Sequence, residues 1–476
     1  MRIGSLLCTA LLATAAFAQD GSVWETKKSA WQTLAPADRP AVESFATDFK
    51  SYIGTARTAL ASNAEIIRRA HAAGFTEFHG ASQVKPGARL LINNRDRAVA
   101  LVVVGQEPIT SGLRIVGTHQ DSPHINLKAR PVINRNGVAV FKTIYYGGIK
   151  RYQWANVPMG LQGRIATSDG RIIDVNIGFK PGEPVFVIAD NAPHSDKPLR
   201  TRTETEVLSG EELDPVAATE PGDGNNVAGN ALRILKSMYN FKEEDLVGAE
   251  LALVPLSQPA DVGLDKALVG AYGQDDRLSS FCAARAAMDL KGTPRFTAVA
   301  YLTNFEETGS GNSTGAQTEN FFTTVQQLIA AQSPHETHLD LALRSALRHS
   351  IMVSADTNDG INPIFGETTS EASNAARVGF GPALKEYGGQ FDAPAELNAK
   401  IRALLDANHI PWQTQTPRVD VGGGGTIGEY FSIRDIDVID LGVPLLSMHS
   451  PYEMSSKVDD WYFYRFMSAF MQWEGK

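Results

Sequence analysis

The chain has 476 residues, of which 43% are hydrophobic and 20% are charged, and its formal net charge is -9. This length exceeds the usual size of one domain, so two domains are expected. The negative charge and the absence of any run of five basic residues argue against nucleic acid as a partner, because backbone phosphates need clustered Lys and Arg.

The N-terminus has the pattern of a secretory signal peptide. Arg2 supplies a positive charge, residues 6–17 are apolar, and residues 16–18 (Ala-Phe-Ala) form a small-x-small cleavage site. The apolar stretch is shorter than the ~20 residues of a transmembrane helix. We therefore expect residues 1–18 to be removed, leaving an exported protein, periplasmic or secreted, without a membrane span. A buried N-terminal helix is the alternative interpretation.

Cysteine usage fits this prediction. Removal of the signal peptide leaves Cys282 as the only cysteine, so the mature chain can form no intramolecular disulfide. Cys282 lies in the apolar segment FCAARAAM and is interpreted as a small buried hydrophobe rather than a nucleophile. A lipid anchor at Cys8 is disfavoured, because Leu7 precedes it where a small residue is expected.

The first part of the mature chain is predicted to be helical and then strand-rich. Over residues 25–75, Val42, Phe45, Phe49 and Ile53 recur at helical spacing. Three short apolar runs follow, separated by polar or Gly-containing turns: ARLLIN, AVALVVVG and LRIVGTH. Each of these runs is predicted to be a strand.

Residues 130–255 are predicted to form an inserted, β-rich domain. Strand-like runs (VAVFKTIYYGG, QGRIAT and EPVFVIAD) are combined there with a polar, acidic stretch over residues 199–226. The flanking segments, residues 19–129 and 256–476, are predicted to fold together as the catalytic domain.

Strands and helices alternate in the last part of the chain. Strand ELALVPL, helix LSSFCAARAAMDL, strand FTAVAYLTNF, a helix over residues 324–331 and strand SIMVSAD follow one another. Residues 437–446 read as a last buried strand and residues 461–473 as a closing amphipathic helix. This alternation predicts an α/β sandwich around a mixed sheet.

Polar residues suited to metal binding or acid–base chemistry follow five of the apolar runs. They are His119 and Asp121, Asp275 and Asp276, Glu306 and Glu307, Asp356, and His449. Ligands bind at the carboxyl ends of strands in α/β sheets, so these side chains converge if their strands are neighbours. Singly, each has an ordinary alternative: a surface pair, a helix cap, a solvated loop, a turn residue or an interior histidine. The joint pattern favours a shared site.

The residue types fit a pair of zinc ions. Zinc binds imidazole nitrogen and carboxylate oxygen, and a catalytic site keeps a position open for water. Two neighbouring ions need a bridging carboxylate. Three ligand carboxylates against two dications leave one positive charge, which a bridging hydroxide neutralises. Asp121 suits a carboxylate that fixes the tautomer of His119, and an unligated glutamate beside the ligands suits a general base.

Six ordered motifs resemble the aspartyl aminopeptidase family, the eighteenth family of metallopeptidases. They span residues 117–454: GTHQDSPHINLKARP, VGLDKALVGAYGQDDRLSSFCA, NFEETGSGNSTGA, SADTND with the following Asn-Pro, GGGGTIG, and DLGVPLLSMHSPYEM. The resemblance implies a zinc-exopeptidase-like fold, an inserted dimerisation domain, and an aminopeptidase that acts on peptide substrates.

The resemblance also implies residue roles. His119 and Asp356 would hold one zinc ion, Glu307 and His449 the other, and Asp275 would bridge them. Glu306 would be the general base, and Asp121 would orient His119.

Two further roles and an assembly follow from the resemblance. His194 would reach a neighbouring subunit's active site, with a surface-loop histidine as the alternative. Lys385, in GPALK, would meet the side chain of an acidic N-terminal residue, although related members accept neutral residues and such a lysine is otherwise solvent-exposed. Dimers would assemble into a homo-oligomer, a dodecamer.

The chain differs from the family's usual pattern in two respects, and two alternative functions are considered. Most of the family is intracellular, whereas this chain has an export signal, and Asn362 stands where the family usually has a histidine. A related dinuclear hydrolase (a deacylase or carboxypeptidase) and a peptide-binding protein without catalysis are the rivals. The presence of Glu306 argues against the second.

Overall fold

The structure, a computed structural model, describes residues 24, 27–80, 83–386, 392–421 and 425–475. The predicted signal peptide lies outside the described residues, as do residues 422–424 of the GGGGTIG motif. No α-helix in the described part of the chain is long and apolar enough to cross a membrane.

The described residues form ten α-helices, which are α1 (Ala30–Thr33), α2 (Arg39–Thr55), α3 (Ala59–Ala72), α4 (Val227–Tyr239), α5 (Gln274–Asp289), α6 (Asn320–Gln332), α7 (Leu339–Arg348), α8 (Ala395–Ala407), α9 (Glu429–Ser432) and α10 (Lys457–Met471). Their strands are β1 (Thr76–Glu77), β2 (Arg89–Asn94), β3 (Ala98–Val103), β4 (Leu113–His119), β5 (His124–Arg135), β6 (Val138–Tyr146), β7 (Met159–Ala166), β8 (Ile172–Ile177), β9 (Val216–Ala218), β10 (Glu250–Pro255), β11 (Ala260–Val262), β12 (Leu268–Ala271), β13 (Thr297–Thr303), β14 (Ile351–Ala355), β15 (Asn358–Asp359), β16 (Ala383–Lys385), β17 (Gln413–Gln415), β18 (Asp437–Gly442), β19 (Pro444–Leu445) and β20 (Glu453–Ser456).

A nine-stranded mixed sheet forms the centre of the fold, in the order β1-β2-β3-β13-β4-β14-β18-β16-β17. Its middle strands β13, β4, β14 and β18 are mutually parallel. Every residue of β3, β4, β13 and β14 is buried. Such continuous apolar runs are typical of strands covered on both faces, which is why these segments take the centre of the sheet.

Helices cover both faces of this sheet, so the predicted α/β sandwich is confirmed. On one face, Phe49 of α2, Phe281 of α5 and Phe463 of α10 belong to one buried cluster. On the other, Phe321 of α6 and Phe431 of α9 belong to a second cluster. Helix α5 carries small apolar residues on all sides, which lets it pack closely between the sheet and its neighbouring helices.

A second, antiparallel sheet has the order β8-β7-β10-β5-β6-β9. Its strands lie within residues 124–255 and surround a separate apolar core that contains Trp154, Leu161 and Leu253. The first strand begins at His124, before the predicted start of the inserted segment at residue 130. Its role as a dimerisation domain stays a prediction.

The run EPVFVIAD was wrongly predicted to be a strand. Phe186 and Ile188 make only isolated bridges, to Met159 and Ala155 respectively. Pro184 lacks the N–H group that a ladder needs, which disfavours a regular strand at this point.

Candidate metal centre

The predicted ligands meet because three of their strands are parallel neighbours. Strands β13 and β14 flank β4, which ends at His119. Glu306 and Glu307 follow β13 after two residues, and Asp356 follows β14 directly. The carboxyl ends of parallel strands lie at one edge of a sheet, so these side chains share one region of space.

Three carboxylates surround the ring of His119. Its Nε2 atom lies 3.5 Å from Oδ1 of Asp275, 3.6 Å from Oε2 of Glu306 and 3.7 Å from Oδ1 of Asp356. The His119 side chain is only 2% exposed. This group of ligand atoms forms the first half of the site.

Asp275 connects this group to a second one. Its other oxygen, Oδ2, lies 3.1 Å from Nε2 of His449, and Oε2 of Glu307 lies 3.5 Å from the same nitrogen. The backbone of His449 has a φ of 63°, a conformation that non-glycine residues adopt infrequently. One carboxylate therefore faces a different histidine with each oxygen.

Hydrogen bonds at Nδ1 orient both rings. Nδ1 of His119 lies 3.1 Å from the carbonyl oxygen of Asp121, and Nδ1 of His449 lies 2.8 Å from that of Gly148. When Nδ1–H donates to a carbonyl, the lone pair of Nε2 is free for a metal ion. In both rings the free Nε2 is the atom that faces the carboxylates.

Asp121 is held from several sides. Its Oδ1 lies 3.3 Å from Nδ1 of His119, and its Oδ2 accepts a 2.6 Å hydrogen bond from the hydroxyl of Tyr146. The backbone N–H groups of Glu306 and Glu307 also donate to its carboxylate. Asp121 thus links the first histidine to the loop that carries the two glutamates.

Sequence reasoning missed Glu453 and left Asp276 without a role. The buried carboxylate of Glu453 accepts from the backbone N–H groups of Gln274, Asp275 and His449, and so supports two predicted ligands. Its place in the motif DLGVPLLSMHSPYEM, four residues after His449, was the available signal. Asp276 accepts from the N–H of His119 at 3.4 Å, and its adjacency to Asp275 was the available signal.

Burial and crowding perturb the protein's own titratable groups. Burial raises the pKa of Glu306 to about 8. Burial also raises the pKa of Glu307 well above its usual value, and the charge of Asp275 adds to that rise. Burial alone would raise the pKa of Asp275, but its contacts with His119 and His449 outweigh burial and lower it. So dense a set of buried negative groups is stabilised by divalent cations.

Two further observations support metal binding by these residues. The buried Oε1 of Glu307 has no hydrogen-bond partner among the described residues, as expected of a ligand atom. Three groups of side chains bring their ligand atoms within 4.8 Å of one another: His119, Asp276 and Asp356; His119, Glu306 and Glu307; and Asp275, Glu307 and His449.

A cavity of about 640 Å³ opens over this cluster, and Lys385 lines it. Lys385 is not a loop residue: it ends strand β16, and its side chain is 17% exposed. Its Nζ lies 3.6 Å from Oδ2 of Asp356 and 3.5 Å from Oδ1 of Asp440.

His194 is not brought to this site within the chain. It lies in an exposed turn and does not line the cavity. Its predicted role in a neighbouring subunit's site stays a prediction.

A mixed α/β sheet with His119 and three carboxylates after its parallel strands, and with Asp275 and His449 beside them, defines a metallohydrolase of the zinc exopeptidase type. The model of the family described as "Aminopeptidase I zinc metalloprotease (M18)" matches residues 52–471. The chain belongs to this family and is a zinc-dependent aminopeptidase, which confirms the resemblance found in the sequence.

Relatives and solved structures agree with this assignment. The chain is 34% identical to a probable M18 family aminopeptidase 1 of Borrelia garinii subsp. bavariensis, over 93% of this chain and 99% of the relative. It is 34% identical to the crystal structure of an M18-family aminopeptidase from Thermotoga maritima, with a TM-score of 0.88 over 94% and 99% of the two chains. The S. cerevisiae mApe1 dodecamer matches with a TM-score of 0.72 and 21% identity, over 89% and 95%, and shows the fold alone.

Proposed function

We propose that the enzyme removes single residues from the N-termini of peptides at a two-zinc site. His119 and Asp356 would hold one ion, Glu307 and His449 the other, and Asp275 would bridge them. The observation that carries this proposal is the position of Asp275, whose two oxygens lie 3.5 Å and 3.1 Å from the Nε2 atoms of the two histidines. When bound, the zinc ions would supply Lewis-acid polarisation of the scissile carbonyl and a lowered pKa of the attacking water.

Glu306 is the proposed general base. Its carboxylate borders the cluster, with Oε2 3.6 Å from Nε2 of His119, and it lines the cavity where a peptide would enter. It would take the proton of the attacking water and pass it to the nitrogen of the departing peptide. Asp121 keeps His119 in the correct tautomer and, by accepting from the backbone N–H of Glu306, holds the base in place.

The negative cavity accounts for action on free N-termini. A substrate's α-ammonium group carries a positive charge, and carboxylates that line the cavity can bind it. An N-acetylated substrate lacks this charge and would lose the interaction. The acidic preference implied by the resemblance depends on Lys385, whose ammonium group already lies near two carboxylates.

Assembly and export complete the proposal. The fold shared with a dodecameric neighbour supports a homo-oligomer, in which His194 of one subunit would contact substrate in the next. The N-terminal sequence pattern supports removal of residues 1–18 and a periplasmic or secreted location.

The test is hydrolysis of aminoacyl, N-acetylaminoacyl and C-terminally varied peptide substrates by the purified protein, with and without a chelator. We expect chelator-sensitive release from free N-termini only. Release from N-acetylated substrates would indicate a deacylase, and release from C-termini a carboxypeptidase. If none of these substrates is cleaved with any added divalent metal, the peptide-binding alternative is favoured.

A further inference from the structure

The cavity over the metal cluster is lined by more negative charge than the metal ions and the catalytic base account for. Beyond the proposed ligands and Glu306, its lining includes Asp359, Asp392, Glu429 and Asp440. Among the described residues that line it, Lys385 is the one lysine or arginine. Residues 387–391 and 422–424, which neighbour lining residues in sequence, contain no charged side chain.

Lys385 contributes little free positive charge. Asp356 and Asp440 both lie within 3.6 Å of its Nζ. The ammonium group is therefore already paired with two carboxylates. A substrate carboxylate would have to compete with both of them.

Glu429 and Asp359 are not neutralised in this way. Glu429 begins helix α9, is half-buried, and has no cation within ion-pair distance among the described residues. Asp359 accepts a hydrogen bond from the hydroxyl of Thr369, which carries no charge. Both carboxylates therefore line the cavity without a cationic partner among the described residues.

The balance of charge stays negative with zinc bound. Two dications balance the three ligand carboxylates and a hydroxide, and Lys385 balances Asp440. Of the other lining carboxylates, Asp359 and Glu429 have no cationic partner among the described residues, and the α-ammonium group of a substrate can pair with one of them. At least one carboxylate is then left to pair with a cationic side chain.

We propose that this enzyme selects N-terminal residues with a cationic side chain, Lys and Arg, and that Glu429 and Asp359 are the specificity-determining carboxylates. The inference rests on the proposed aminopeptidase function. It replaces the acidic preference that Lys385 suggests from the sequence, because charges in a partly desolvated cavity interact strongly and a like charge is rejected.

The experiment compares kcat/KM for pairs of substrates whose N-terminal side chains differ in charge but have nearly the same size. We expect kcat/KM to be about tenfold higher for a Lys than for a norleucine substrate, and about tenfold lower for Glu than for Gln. Both ratios should shrink towards one as ionic strength rises, because salt screens the charges.

Substitutions test whether Glu429 and Asp359 cause the preference for cationic side chains. Glu429→Gln and Asp359→Asn should each lower the Lys-to-norleucine ratio severalfold. Asp440→Asn should raise the Glu-to-Gln ratio, because Lys385 loses a competing partner. Glu243→Gln changes the net charge by the same amount at an exposed position of the second-sheet region, and should leave every ratio unchanged.

The outcomes separate this inference from the proposed function. A Glu substrate cleaved faster than Gln, or equal rates for Lys and norleucine, would overturn the cationic preference while leaving the aminopeptidase in place. Unchanged ratios in both Glu429→Gln and Asp359→Asn would overturn the residue assignment. Failure to cleave any free N-terminus would instead reject the proposed function.

Discussion

The hydroxyl of Tyr146 lies 2.6 Å from Oδ2 of Asp121, and this hydrogen bond joins the antiparallel sheet to the metal cluster. Tyr146 ends strand β6 and stacks on His124, with 4.5 Å between the ring centroids. The second sheet also supplies the adjoining Gly148, whose carbonyl oxygen accepts from His449. The region predicted to be inserted therefore supports both proposed zinc-binding histidines.

Removing the Tyr146 hydroxyl should weaken zinc binding. In Tyr146→Phe the ring stays and Asp121 loses one donor, so we expect zinc affinity to fall by about tenfold, as is typical when a ligand's supporting hydrogen bond is lost. Competition with a chromogenic chelator measures the change. Tyr145→Phe, at the exposed neighbouring position, is the matched control. Equal losses in both variants would show that the hydroxyl of Tyr146 has no special role.

Replacing the proposed base should abolish turnover without removing zinc. For Glu306→Gln we expect kcat to fall by roughly 10²–10⁴, the usual contribution of general acid–base catalysis. Zinc content, measured by atomic absorption, should stay at the wild-type value. Glu336→Gln, on an exposed loop, should retain full activity. Normal turnover of Glu306→Gln would assign the base to another residue.

Zinc removal should destabilise the protein because the cluster then contains unbalanced buried charge. We expect a chelator to lower Tm, since an ion that binds only the folded chain stabilises it. In the zinc-free protein, Glu307→Gln should have a higher Tm than wild type, because burial and Asp275 both oppose ionisation of Glu307. Calorimetry with and without zinc measures both effects. An unchanged Tm after zinc removal would contradict the prediction.

Asp459 should make stability depend on pH. It lies at the start of α10, fully buried, and accepts hydrogen bonds from the backbone N–H groups of Gly379 and Gly381 at 2.6 and 2.7 Å. Burial raises its pKa from 3.8 to about 7, although these two bonds oppose the rise. The folded state therefore binds more protons between these values, and the free energy of unfolding falls as pH rises from about 4 to about 7.

The variant Asp459→Asn lacks this titration. We expect its free energy of unfolding, measured in urea, to increase relative to wild type as pH rises through that window. Comparing the two proteins at each pH cancels the titrating groups that do not interact with Asp459. A difference that does not change with pH would show that Asp459 titrates near its ordinary value.

Much of the fold could be predicted from local patterns. The runs AVALVV, LRIVGTH and TAVAYLT became fully buried central strands because strands rich in apolar residues are stable where both of their faces are covered. EPVFVIAD has a similar composition and did not form a strand, since pairing depends on neighbours that composition does not specify.

The sequence by itself predicted the candidate metal-binding residues, and for His119, Glu307 and Asp356 the reason is that polar groups after neighbouring parallel strands meet at one edge of the sheet. Only the tertiary structure decided how they are supported and how their charges balance. His449 and Gly148, which form a hydrogen bond, are 301 positions apart in the sequence. Glu453 accepts from the backbone of Asp275, 178 positions away. Lys385 pairs with Asp440 on a neighbouring strand. Hydrogen bonds and ion pairs act over a few ångströms of space, so contacts between such distant positions become visible only when the chain is folded.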